Sequence, residues 1–284
     1  MTEDPKETYF SHTHKTVIKP AKGLMSLDLG EVWAYRELLS ILAWRDISIM
    51  YKQSIIGIGW VIIQPVMTMI IFTIIFGKFA KLPSEGIPYP IFTYCALLPW
   101  SYFARSLSGS SNSLVGSSHL ITKVYFPRLV IPFSKVFSGL VDFAIAFVIL
   151  IGMMVWYRIM PTRGIFFLPL LLLVAMTASL GIGLWLTALN VKYRDVQFVV
   201  PFLVQFWMYA SPVAYSAGIV PEKWRWLYGL NPMVGVIEGF RWALLGKSVP
   251  DAGMMLVSFC IVFAVLVGGL YYFKKMERSF ADIV

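Results

Sequence analysis

The chain has 284 residues, 58% of them hydrophobic and 14% charged, with a formal net charge of +9. Soluble domains carry roughly 25% charged residues, so this composition, with a mean hydropathy of +0.73, excludes a soluble globule. It predicts an all-α integral membrane protein. The surplus of Lys and Arg is what topology and anionic lipid headgroups require, and nucleic acid is not an expected partner. Cys95 and Cys260 lack metal-ligand spacing and read as free thiols, and His12, His14 and His119 suggest no metal site.

Residues 1–27 form a polar stretch of mixed charge, expected to be a cytoplasmic tail. No apolar run of any length precedes Ile55, so the first span is expected to act as an uncleaved insertion signal. Residues 28–54 read as an amphipathic interfacial helix and its lead-in. Asp28 and Glu31 have capping-box spacing. Val32, Tyr35, Leu38, Leu39 and Leu42 recur at helical spacing, and Trp33, Trp44 and Arg45 suit a membrane boundary. The alternative is an ordinary helix packed on a partner.

Six transmembrane helices are expected within 55–273, at about 56–78, 91–114, 131–157, 165–189, 196–215 and 252–273, each near the ~20 residues a bilayer requires. Pro65, Pro99, Pro132, Pro201 and Pro212 fall in or at the ends of these spans, which predicts a packed bundle with several kinked helices. With the amino terminus inside, fifteen Lys and Arg lie on the cytoplasmic side and eight outside; both termini, including the tail 274–284, are therefore expected in the cytoplasm. The segment 217–250 is aromatic and too charged to span. It is expected to form short outer re-entrant helices between spans five and six, broken at "GLNP".

No engine is visible. "GKS" at 246–248 fails as a phosphate loop because the position that needs glycine is Arg241. No catalytic residue, metal or cofactor is expected. Asp142 is the one acid in a central span and a functional candidate by default, either as a proton site or as a packing residue paired with Arg105 or a hydroxyl. Aromatics make up 16% of the chain. Phe72 and Phe76 on the first span and Phe202, Phe206, Trp207 and Tyr209 on the fifth, with Gln64 and Gln205, offer ring faces and neutral hydrogen-bonding groups suited to a sugar polymer. Core packing is the competing role for each ring. Two cytoplasmic connections, 117–134 and the "KYRD" turn from Lys192 through Arg194, place basic residues beside aromatics. They read as topology anchors or as a docking surface.

Several long stretches, in order, carry a resemblance: "RDISIMYKQSIIGIGWVIIQP" (45–65), "LLPWSYFARSL" (97–107), "LITKVYFPRLVIP" (120–132), "NVKYRDVQFVVPFLVQFWMYASPVAYS" (190–216), "NPMVGVIEGFRWALLG" (231–246) and the closing "ERSFADIV" (277–284). From about residue 28 onward the chain resembles the membrane permeases of ABC-type polysaccharide exporters of the O-antigen export kind. The resemblance implies a homodimer in the cell inner membrane and a channel at the dimer interface, lined partly by spans one and five. It further implies a separate cytoplasmic ABC ATPase that binds ATP, and a lipid-linked polysaccharide as cargo. It places ATPase coupling on 117–130, with Lys123, Tyr125, Phe126 and Arg128 favoured and Lys192 and Arg194 second. The same architecture could export teichoic acid, lipid or a drug. An ion-coupled secondary transporter using Asp142 is a further, different reading.

Overall fold

A computed structural model describes residues 29–52, 57, 59–246, 251–277 and 280. The expected tail 1–27, Asp28 of the capping pair, residues 53–56 of the lead-in, 247–250 of the outer segment and the last four residues lie outside these. The described residues form helices and their connections, without a strand.

The chain opens with α1 (Leu29–Ala34) and α2 (Arg36–Lys52). α2 turns Leu42, Ala43 and Asp46 inward, while Trp33, Ile41 and Trp44 stay exposed on the opposite side. Its partner is α6 (Val130–Trp156). α3 (Gly59–Phe72) runs into a wider π-type helical stretch, Thr73–Phe79, before a turn leads to α4 (Tyr89–Ser111). α4 is the hub. Seventeen of its residues are buried, and it packs on α3, α6, α7 (Leu168–Lys192), α8 (Val196–Ala210) and α10 (Pro232–Leu245). Between α4 and α6 lies the short α5 (Ser118–Lys123).

α7 and α11 (Ala252–Glu277) form the most extensive helix pair. Small residues allow it: a Cβ on Gly181 would stand 2.8 Å from the Leu266 backbone, and one on Gly269 would collide with the Gly181 carbonyl. Backbones that approach this closely gain dispersion contacts that lipid does not offer.

Four helices are long and apolar enough to cross a bilayer on their own: Gly59–Phe79, Val130–Trp156, Arg163–Lys192 and Ala252–Glu277. They correspond to the expected first, third, fourth and sixth spans. The second and fifth differ for physical reasons. α4 has the length, but it spends its surface on protein contacts and carries buried Thr93, Ser106, Ser110 and Ser111. α8 was expected to run to 215; it has 15 residues, about 22 Å at 1.5 Å per residue. Ser211 at its end is extended, with φ −100° and ψ 153°, which is the backbone that a following proline, Pro212, demands.

The segment expected outside divides into α9 (Glu222–Tyr228) and α10. Asn231 caps α10 by accepting from the Met233 N–H at 3.0 Å, and Pro232 occupies the first turn. Gly246 closes the helix at φ 72°, a left-handed position that favours glycine. α10 is buried almost all round among α4, α7 and α11.

Candidate functional site: a charged cleft and an aromatic groove

Two cavities share one wall. The first, of about 720 Å³, opens between α2, α4 and α6. Asp46 from α2 meets Lys135 of α6 at 2.9 Å and Arg45 at 3.0 Å. About two turns further along α6, Asp142 meets Arg105 of α4 at 2.6 Å and accepts a hydrogen bond from the Tyr51 hydroxyl. Burial, and then the bond onto Asp142, push the Tyr51 phenol above its ordinary value, so it remains a donor. The Asp46–Lys135 pair and the Tyr51–Asp142 hydrogen bond tie α2 to α6, and the Arg105–Asp142 pair ties α4 to α6. The carboxylates are buried but the cations reach solvent, so removing one partner costs less than the ~3–5 kcal/mol of a fully buried pair.

The second cavity, of about 510 Å³, is a groove between α3, α4 and α8. Gln64, Thr68, Ser101 and Gln205 supply its polar lining, and Arg105, Ser108 and Asp142 border both cavities. The groove is flanked by the exposed face of α8, where Phe198, Phe202, Phe206 and Tyr209 follow one another at helical spacing. Phe202 is 68% and Phe206 66% exposed. α3 and α8 are the least buried of the long apolar helices: only 11% of the α3 window is covered, against 39% for α7, and Val200 is the one buried residue of α8.

The sequence-selected aromatics divide into two sets. Phe202, Phe206 and Tyr209 face outward. Phe72 is buried, edge-on to Phe76 at 5.2 Å and 6.2 Å from Tyr209. Trp207 turns inward, T-shaped on Phe103 at 5.4 Å, and donates to Asn231 at 3.0 Å. It ties α8 to the start of α10.

The segment 117–130 also divides. Lys123 at the end of α5 and Val124 and Tyr125 in the chain after it are exposed, Tyr125 at 76%. Phe126 is buried. Arg128 reaches back into the protein: its guanidinium donates to the Glu277 carbonyl and lies 5.9 Å from the Phe280 ring, which packs edge-on against Phe273. In the turn before α8, Lys192, Tyr193, Arg194 and Asp195 are all exposed.

Sequence reading missed two things. Asp46, Lys135 and Tyr51 complete the charged cleft; an acid one turn beyond Leu42 on the apolar face of an amphipathic helix was the available signal. Glu238 and Arg241 form a buried pair on α10 at 3.0 Å, which the i,i+3 spacing in a buried helix would have suggested. Arg241 also donates to the Tyr215 carbonyl at 2.9 Å and the Val213 carbonyl at 2.8 Å, and stacks on Phe92 at 3.7 Å. Glu238 accepts from the Ala217 N–H at 3.1 Å. Together they hold the connection that follows α8.

Long apolar helices packed around a serine-bearing hub mark a multi-pass membrane protein. Residues 37–245 match the ABC-2 type transporter family, and the chain belongs to that family. It is 27% identical to an O-antigen export system permease protein, RfbA, of Myxococcus xanthus, over 89% of this chain and 98% of the relative. A second RfbA, from Klebsiella pneumoniae, is also 27% identical, over 92% and 98%. The polysialic acid transport protein KpsM of Escherichia coli is 24% identical over 83% and 92%. The relatives are thus permease subunits of ABC transporters, among them polysaccharide export permeases.

Proposed function

We propose that this chain is the transmembrane subunit of an ATP-driven exporter that moves a lipid-linked polysaccharide of O-antigen type from the cytoplasmic side across the inner membrane. The active unit is a homodimer. Each copy spans six times with both termini in the cytoplasm, α2 lies along the inner interface, and α9 and α10 enter the outer leaflet. A separate cytoplasmic ABC ATPase binds and hydrolyses ATP, and this chain performs no covalent chemistry.

The observation that carries the reading is the groove of α3 and α8. Gln64 and Gln205 offer neutral hydrogen bonds beside the ring faces of Phe202, Phe206 and Tyr209. Ring faces pack on sugar C–H faces, and amides bond hydroxyls without demanding one sugar sequence. Exposed faces on α3 and α8, poorly covered within one copy, leave room for a second copy to close the channel.

Coupling is assigned to the exposed part of 117–130. Lys123 and Tyr125 reach the ATPase, while Phe126 and Arg128 hold the segment's shape from within. Lys192 and Arg194 form a second contact. ATP binding draws the ATPase subunits together, and the segments pass that motion to the spans.

The test is the location of the glycan in cells depleted of this chain. The expected result is lipid-linked polysaccharide accumulating in the cytoplasm and lost from the surface. Unchanged surface glycan would remove that polymer as cargo.

A further inference from the structure

The charged cleft has more positive capacity than its own acids use. Three cations wall it, Arg45, Arg105 and Lys135, against two carboxylates, Asp46 and Asp142. The unused groups are donors. The Arg45 Nε is buried without an acceptor. The second guanidinium nitrogen of Arg105 finds only the Met50 sulfur, at 2.8 Å, and a thioether is a weak acceptor. Ser113 lines the same cleft at 2% exposure, and its hydroxyl has no partner. Asp46 Oδ2 and Asp142 Oδ2 also lack a well-aligned hydrogen bond, but each faces a cation, Lys135 at 2.9 Å and Arg105 at 2.6 Å. Buried polar groups are normally bonded, so the unmet donors beside the cleft call for an acceptor-rich ligand. Arg45 and Arg105 still reach solvent, with side chains 37% and 42% exposed.

We infer that this cleft binds the phosphate-bearing headgroup of a lipid, with Arg45 and Arg105 as its charge-assisted donors and Ser113 as a neutral one. Resting on the function proposed above, the assignment gives the cargo's anionic end a cytoplasmic resting place. Phosphate oxygens are acceptors only and suit guanidinium forks. A cleft of about 720 Å³ exceeds what a diphosphate occupies and leaves room for the first sugar. The position matters as well. Arg105 and Asp142 border both this cleft and the sugar-suited groove, so a headgroup on Arg105 holds the attached glycan at the groove's entrance. Two sources share this chemistry, the diphosphate of a glycan carrier and an ordinary anionic phospholipid.

The test uses the purified full chain in nanodiscs of neutral lipid. Farnesyl diphosphate is the probe, and farnesol is the control with the same tail and no phosphate. The diphosphate should bind, farnesol should bind at least tenfold more weakly, and added salt should weaken the diphosphate alone. Arg45→Gln keeps Asp46 paired with Lys135 and should weaken the diphosphate by about tenfold or more, as loss of one charge-assisted bond predicts. Because Arg105→Gln alone would strand Asp142, the second variant is Arg105→Gln with Asp142→Asn, which should weaken binding similarly with thermal stability kept near that of the parent. Equal binding of farnesol, or unchanged diphosphate affinity in both variants, would overturn the assignment. Phosphatidylglycerol that competes at similar concentration, and is itself weakened by Arg45→Gln, upholds the phosphate site and makes bilayer lipid its occupant; failure to compete points to the carrier. If surface glycan requires the chain while Arg45→Gln leaves the diphosphate untouched, the site falls and the export reading stands. If binding depends on Arg45 but glycan location does not depend on the chain, the reverse holds.

Discussion

Arg241→Met isolates what the buried pair on α10 does. The guanidinium is 2% exposed, bonds Glu238 at 3.0 Å and the carbonyls of Val213 and Tyr215, and lies over Phe92. Methionine fills much of its volume without charge. Glu238 is then left buried as a lone carboxylate bonded to one N–H, and the expected loss is about 3–5 kcal/mol. For a protein of this size about 1 kcal/mol moves the unfolding midpoint by roughly 2–4 °C, so the midpoint in detergent should fall by about 6–20 °C. The double variant Arg241→Met with Glu238→Gln keeps an acceptor for the Ala217 N–H and removes the stranded charge. It should recover about half of the loss or more. The assay is aggregation-monitored melting of purified protein on size exclusion, one variant beside the other. A double variant no more stable than Arg241→Met would refute the reasoning, because the damage would then come from the lost carbonyl bonds and not from an unpaired charge.

Four further outcomes follow from the geometry. Gly269→Ala drives a methyl into the Gly181 carbonyl and should cost about 1–3 kcal/mol by forcing α7 and α11 apart, read as lower yield and a lower melting point. Phe202→Ala with Phe206→Ala removes exposed rings, so folding should change by no more than about 0.5 kcal/mol for each, whereas surface glycan should drop severalfold; export at the parental level would remove these rings from the channel wall. Asp142→Asn keeps a hydrogen-bonding partner for Tyr51 and Arg105 and should leave most export intact, while complete loss in a stable protein would favour ion coupling. Tyr125→Ala should weaken co-purification of the ATPase severalfold with the permease melting unchanged.

What the sequence made legible was whatever depends on one segment at a time. Apolar runs located α3, α6, α7 and α11 to within a few residues, and "GLNP" marked the join of α9 and α10, because Asn and Pro act locally on the backbone. The end of α8 was misjudged because hydropathy continues through Val213 and Ala214 although the helix does not. The cleft was legible only in halves. Asp142 and Arg105 stood out as charges in apolar runs, and their mutual pairing was one of two options. Their third partner, Tyr51, lies 91 positions from Asp142, on a helix whose docking onto α6 no local pattern reveals. Arg128 shows a further limit: a basic residue at a boundary reads as a docking charge, and its bond to a backbone carbonyl 149 positions away leaves no trace in the local sequence.

The two cavities also explain why the polar groups cluster where they do. In the apolar interior of a membrane protein each buried charge is costly unless paired, so Arg105 and Asp142 could have been replaced by leucine at little structural loss. Their pair lies where the charged cleft meets the neutral groove. A permease for a neutral polymer with an anionic end needs such a boundary. The anion must be held where cations are dense, and the sugars must pass where rings and amides leave no charge to stall them. Under the phosphate site inferred above, Arg105 is already held in place by Asp142, and an incoming phosphate would compete for a guanidinium that needs no repositioning. On that inference the pair is kept for recognition, which accounts for a salt bridge in a position where packing alone would have favoured carbon.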